Sequence, residues 1–302
     1  MIAFRHFRKT FGPQIAVADL SLDVRPGETL ALLGPNGSGK TTTLKAAAGL
    51  IRPTSGDVLL GDPGRASHLP DARRVVSFLP QRVAFPETLT GREVVEFYRA
   101  LRGTAPGRTD DALRFASLNG ASARPVGTYS GGMLQRLGLA VAILPDAPVL
   151  LLDEPTAALD PEGLAAFYAM VDRHGNEGRT VLFTSHQLGD AERLADRFAI
   201  LVAGRLVAVL TQRELHEHLA QRGVMRVRVG VGAHQAGLLD RVRQVVAGAR
   251  WEHDDLLVPG PPVVRPAALA ALRDGGAEIT ALTTEEGRLD ALYRALVEKA
   301  TS

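Results

Sequence analysis

Gly34-Pro35-Asn36-Gly37-Ser38-Gly39-Lys40-Thr41 spells G-x-x-x-x-G-K-T, followed by Thr42. Glycines free a backbone to turn successive N–H groups toward one anion, and a lysine ammonium adds a full positive charge. The apolar run before it, residues 29–33, reads as a buried strand, and the Ala-rich residues 42–49 read as a helix closed by glycine. A helix N-terminus aimed at the same point contributes a fixed partial positive charge. Strand, loop and helix together predict a cradle for nucleotide phosphates. Of thirty-five basic residues only Lys9, Lys40, Lys45 and Lys299 are lysine. A compact ammonium fits between phosphate groups where a planar guanidinium does not, which gives Lys40 a reason to depart from the arginine habit.

Val149-Leu150-Leu151-Leu152 leads into Asp153-Glu154-Pro155. In a parallel sheet the C-terminal end of a strand faces the ligand crevice. Asp153 is therefore expected beside the phosphate loop, where it can hold Mg²⁺ through water, and Glu154 on the side where a general base polarises an attacking water. Tyr129-Ser130-Gly131-Gly132 opens another helix with a hydroxyl and two glycines. Such a terminus presents N–H groups to an anion, and equally fits a plain serine N-cap. A second phosphate cradle in one chain makes sense if it grips the nucleotide of another subunit.

The elements that must position these groups are legible as a strand–helix alternation. Residues 1–33 read as several short strands around turns at Gly12-Pro13 and Pro26-Gly27. Further strands are expected at 55–60, 74–79, 149–152, 180–185 and 198–203, and helices over 90–118, 131–144, 161–174 and 190–196. This alternation implies a parallel α/β core. Beyond Thr211 the pattern changes. Residues 214–221 read as a polar helix or linker. Strands at 224–231, 251–258 and 278–283 then alternate with helices at 237–246, 262–273 and 286–299, enough for a small α/β interaction or regulatory domain. His216 and His218, two apart on a helix, face different directions and do not form a metal pair.

Composition narrows the function classes. The chain has 302 residues, a net charge of +2 and no cysteine. Near-neutral charge argues against nucleic acid as a partner held by bulk electrostatics. Absence of cysteine excludes thiolate zinc sites and disulfides. The charged N-terminus does not read as a signal peptide, and no run approaches the ~18 apolar residues of a membrane span. If the protein serves a membrane, another polypeptide crosses it.

The phosphate loop, residues 129–135, Leu150 to Pro155, Ala158-Leu159-Asp160 and Thr184-Ser185-His186 occur in this order. Over about residues 1–215 the chain resembles the ATP-binding-cassette ATPase family. The resemblance implies a P-loop NTPase fold: a RecA-like parallel sheet, an antiparallel β subdomain and a helical subdomain at about 82–135, with residues 216–302 as a separate C-terminal domain. It implies ATP and Mg²⁺, and two copies closing head to tail over two ATPs. By motif position, Gly34 to Thr42 would hold the phosphates, Thr41, Gln81 and Asp153 the Mg²⁺, and Glu154, Gln81 and His186 would serve hydrolysis. Ser130, Gly131 and Gly132 would act on the partner's ATP, Asp160 would contact the partner, and Phe11 would stack on adenine.

Within the family the resemblance implies an export-type transporter ATPase on the inner face of the cell membrane. Its partners would be an integral membrane permease and a periplasmic accessory protein. Phe85, Leu89 and Phe97 are candidate permease contacts. Residues 129–140, with the closing run 284–294, are similar to ATPase subunits of the copper-maturation transporters that serve nitrous oxide reductase. Drug and haem exporters are the alternatives, as are soluble cassettes of DNA repair or translation. The latter carry coiled coils, zinc modules or two phosphate loops, none of which is present here.

Overall fold

Two long strands, β1 (Ile2–Phe11) and β2 (Gln14–Val24), form an antiparallel hairpin across Gly12-Pro13. The several short strands expected over residues 1–33 are, as far as Val24, one long hairpin. Its register slips between Phe4 and Phe7, between Phe7 and Lys9, and again at Thr10, with His6 at φ 46°. Such bulges continue a strand through breaks in alternation that otherwise read as strand ends. The computed structural model describes residues 1–230, 235–285, 287 and 292. The chain divides into two compact units, Met1–Val209 and Leu210–Ser302.

In the first unit β3 (Thr29–Leu33) is fully buried and leads through the glycine loop into α1 (Lys40–Ala47). β4 (Ser55–Leu60) flanks β1, β5 (Arg65–Ala66) flanks β4, and α2 (Pro70–Arg73) precedes β6 (Val76–Leu79). The stretch expected to be helical over 90–118 is two helices, α3 (Gly91–Arg102) and α4 (Arg108–Phe115). Thr90 and Glu93 form a capping box at the start of α3, and Gly103-Thr104-Ala105-Pro106-Gly107 interrupts the run. Then follow α5 (Gly131–Ile143), β7 (Val149–Asp153), α6 (Pro161–Asn176), β8 (Thr180–Ser185), α7 (Leu188–Leu194), β9 (Arg197–Val202) and β10 (Arg205–Thr211). Strand β10 has little contrast between its faces, so its sequence carries no clear period-2 signal.

One sheet carries all ten strands in the order β5-β4-β1-β2-β10-β9-β3-β8-β7-β6. From β9 to β6 the pairs are parallel, as is β10 with β2, while β2, β1, β4 and β5 form an antiparallel wing. Leu33 pairs with Ser185 and Asp153 with Thr184, so three strands end at one level. Parallel strands buried on both faces need continuous apolar runs, which β3, β7 and β8 supply. The helices α3, α4 and α5 close a separate core on Val94, Val95, Leu113, Leu137 and Ala140, with Phe85 and Leu89 packed against it.

The second unit opens with α8 (Gln212–Ala220), capped by Thr211 and Glu214. It continues as β11 (Val224–Val229), α9 (Gln235–Val245), β12 (Arg250–Glu252), β13 (Asp255–Pro259), α10 (Arg265–Asp274) and β14 (Ile279–Glu285). The single strand expected at 251–258 is a hairpin instead, turning at His253-Asp254 with His253 at φ 55°. That makes the order β-α-β-β-α-β, with sheet order β12-β13-β11-β14 and antiparallel neighbours, the split βαβ arrangement. Met225, Val227, Leu256 and Val258 meet Leu238, Val242, Ala268 and Leu272 in its core. The helix expected at 286–299 and most of the closing run 284–294 lie outside the described residues. Among the described residues no helix is long and apolar enough to cross a membrane.

Candidate functional site

The end of β3 sets the phosphate loop. A Cβ at Gly34 would lie 2.1 Å from the Leu201 carbonyl oxygen, and one at Gly39 (φ 101°) 2.6 Å from that of Ala16. Only glycine lets the chain pass these two points. Lys40 opens α1 and is buried, its Nζ donating to the carbonyl oxygens of Gly34 at 2.7 Å and Pro35 at 3.2 Å. Burial pulls its ammonium below the usual lysine range, while Glu154 and Asp153 pull it back up. Ser38 Oγ is buried with no hydrogen-bond partner. A buried hydroxyl of this kind calls for a ligand or water.

A cleft of about 420 Å³ opens over the loop. It is lined by Phe11, Gln14 and Ala16 of the β1–β2 hairpin, by residues 36–42, and by Gln81 and Glu154. The structure thus brings Phe11, Asn36, Gly37, Ser38, Gly39, Lys40, Thr41, Thr42, Gln81 and Glu154 together. Gln14 and Ala16 were not anticipated; the hairpin puts Gln14 opposite Phe11 and Ala16 two residues further along β2, visible only once β1 and β2 are paired. Phe11 is half exposed, with Lys9 Nζ 4.9 Å from its ring centre.

Asp153 lies beneath the loop. Its Oδ1 accepts from Thr184 Oγ1 at 2.7 Å and Thr41 Oγ1 at 3.1 Å, whereas Oδ2 is buried without a partner. Burial pushes its carboxyl above the ordinary range, against the Thr184 and Thr41 bonds. No cluster of three His, Asp or Glu placed for a metal exists among the described residues. An orphaned carboxylate oxygen beside a threonine hydroxyl nevertheless fits Mg²⁺, which takes few protein oxygens and completes its shell with water and phosphate.

Glu154 sits one residue beyond the sheet with φ 48°, its N–H donating to Thr184 Oγ1 at 2.8 Å. Its Oε2 accepts from Gln81 Nε2 at 2.9 Å and lies 3.5 Å from His186 Nδ1. Three loops, after β6, β7 and β8, therefore converge on one carboxylate. Ser130, Gly131, Gly132, Asp160 and His186 do not line the cleft. Ser130 caps α5, accepting from Met133 N, and Asp160 caps α6 while accepting from Arg136 Nη1 at 3.3 Å.

A family model described as ABC transporter matches residues 17–157. A linearmycin resistance ATP-binding protein of Bacillus subtilis is 30% identical over 79% of this chain and 78% of its own length. The chain belongs to the ABC transporter ATP-binding family. A Nod factor export ATP-binding protein of Burkholderia lata is 40% identical over 68% of this chain and 69% of its own. A daunorubicin resistance ATP-binding protein of Streptomyces coeruleorubidus is 32% identical over 94% and 92%. Among solved structures, a dimeric ATP-binding cassette in a post-hydrolysis state with ADP and phosphate aligns with TM-score 0.65 at 27% identity. It covers 70% of this chain and 99% of that one. This ABC ATPase is accordingly the ATP-binding subunit of a transporter, with an export ATP-binding protein and drug-resistance ATP-binding proteins among its relatives.

Proposed function

We propose that the chain powers an export-type transporter from the inner face of the membrane, as a head-to-tail pair bound to a separate permease. The observation that carries the site reading is the unpartnered Asp153 Oδ2, buried beside Thr41 and under the phosphate loop. Residues 34–42 hold the phosphates of ATP, Lys40 exchanging its two loop carbonyls for phosphate oxygens. Phe11 stacks on the adenine. Thr41, Asp153 and Gln81 hold Mg²⁺, which when bound neutralises charge on the phosphates.

Glu154 orients the attacking water and takes its proton. The water oxygen bonds to the γ-phosphorus as the bond to the departing ADP oxygen breaks. His186 donates to the γ-phosphate, and Gln81 keeps Glu154 aligned. Ser130, Gly131 and Gly132 lie off the chain's own cleft, and the N-terminus of α5 is offered to the ATP of the second copy, with Asp160 at the same interface. The dimeric assembly of the cassette structures this chain resembles supports that arrangement. Phe97 and Leu101, exposed on α3, are the permease contacts, whereas Phe85 and Leu89 serve the helical core. The roles of the two domains, ATPase for the first and interaction or regulation for the second, belong to the same reading, with the boundary expected at 215/216 falling inside α8 and the compact units dividing at Val209–Leu210 instead.

Drug export is the favoured cargo class, because the likeness to the daunorubicin resistance protein runs through both units. A copper-maturation role, with a periplasmic accessory protein, is the narrower alternative and rests on residues 129–140 and the closing run. Membrane vesicles carrying chain and permease separate the two. ATP-dependent accumulation of daunorubicin supports the first, and rescued copper loading of nitrous oxide reductase without drug movement supports the second. The site reading is tested by Glu154→Gln. Light scattering should show an ATP-trapped dimer, with turnover reduced about 10²-fold or more. A variant that stays monomeric at saturating ATP and hydrolyses at the parent rate refutes both base and sandwich.

A further inference from the structure

The turn from Pro155 to Asp160 lines no part of the cleft, yet it is fastened on two sides. Toward α5, Gln135 Nε2 donates to the Pro155 carbonyl at 3.1 Å, and Arg136 donates to Asp160. Toward α7, the Thr156 hydroxyl donates to Asp190 Oδ2. Asp190 Oδ1 accepts from Tyr168 Oη of α6 at 2.7 Å. Asp190 is only 8% exposed and sits four residues after His186, in the first turn of α7. Each of its oxygens therefore has one hydroxyl donor, from two different elements. Burial, then the Asp190 bond and charge, push the Tyr168 phenol up to about 12, so it stays a donor through the neutral range.

A buried carboxylate is costly unless fully partnered, and α7, seven residues long, has only Ala191 and Leu194 as buried apolar anchors. The sheet does not supply the link. Its last pair between β7 and β8 is Asp153 with Thr184, and one further bond, from the Glu154 N–H to Thr184 Oγ1, joins the two strand ends. Beyond that bond, Asp190 ties the turn after Glu154 to the helix after His186 through Thr156, supported by Arg193, which reaches Asp172 of α6 at 2.8 Å and stacks on Tyr168.

We propose that Asp190 is a positioning residue for hydrolysis, fastening the helix after His186 to the turn after Glu154 so that both side chains keep their 3.5 Å relation. The proposal rests on the roles given to Glu154 and His186 above. ATP binds on residues 36–42, which Asp190 does not touch, so the effect falls on turnover and not on affinity.

The test uses the full chain and MgATP, with phosphate release and heat denaturation as readouts. Asp190→Asn keeps the shape but leaves one acceptor for two hydroxyls. Displacements of order 1 Å cost up to ~10²-fold, so kcat should fall roughly 10–100-fold while KM for ATP stays within about twofold. Thr156→Val should repeat this loss, and Thr156→Ser, which keeps the hydroxyl, should recover most of it. In a His186→Ala background, adding Asp190→Asn should cost less than about twofold, because the group being positioned is gone. Unchanged kcat in Asp190→Asn, with Glu154→Gln and His186→Ala both impaired, overturns the proposal. So does a variant whose KM rises with falling kcat and Tm and that Thr156→Ser does not mirror. If Glu154→Gln and His186→Ala turn over at the parent rate, the underlying site reading fails and the proposal falls with it.

Discussion

Thr184 is fully buried and serves two masters: it donates to Asp153 Oδ1 at 2.7 Å and accepts from Glu154 N at 2.8 Å. Thr184→Val keeps the shape and removes both bonds. The bond to the carboxylate is worth ~2 kcal/mol and the orphaned N–H costs ~1 kcal/mol more, about 3 kcal/mol together. For a unit of this size that corresponds to a Tm lowered by roughly 6–12 °C. The change also removes one of the bonds that hold the Asp153 carboxyl down against burial. Its folded pKa, already above the ordinary 3.8, must rise further. A carboxyl with a raised folded pKa adds stability below its unfolded pKa, and that contribution is lost as pH rises through the folded value. The deficit of the variant is therefore smaller in acid than at neutral pH. Because the cation site needs the ionised form, the acid limb of kcat/KM for ATP should move to higher pH. Heat denaturation across a pH series, with phosphate release at each pH, reads both effects. A variant that melts with the parent and whose acid limb superimposes on the parent's refutes the account of Asp153.

Lys40→Ala should abolish measurable nucleotide binding in calorimetry with MgATP while the fold is retained, since the ammonium it removes is bonded only to loop carbonyls. Phe11→Ala should raise KM for ATP about tenfold, the value of ~1–2 kcal/mol of base stacking, with kcat little changed. Leu272→Ala, at a fully buried site in the second unit, should cost about 2–5 kcal/mol and appear as faster hydrogen exchange in β11 and β13.

What could be read from the sequence was whatever chemistry writes into consecutive residues. The glycine loop, the apolar run ending in Asp153 and the capping Ser130 each announce themselves within ten positions. Placement of Gln81 and His186 against Glu154 depended on resemblance, because single polar residues after a strand carry no signal of their own. Gln14, Ala16 and Asp190 were illegible for a related reason. Their neighbours are brought close by the β1–β2 hairpin and by α7 packing on α6, contacts that no local pattern encodes. Bulges in β1 mimic strand ends, and the turn at His253-Asp254 lacks the glycine that usually marks a tight hairpin, so one strand was read where two exist.

The shared level at which β3, β7 and β8 finish has a consequence for how this protein can vary. Side chains along a strand alternate between faces, so removing one residue from β7 would leave Glu154 where Asp153 now ends the ladder and turn Asp153 away from Thr41. Strand lengths here are as fixed as any catalytic side chain. Length changes are better borne where the chain leaves the ladder, as in the 103–107 connection, than within the five residues that measure out the distance from core to phosphate.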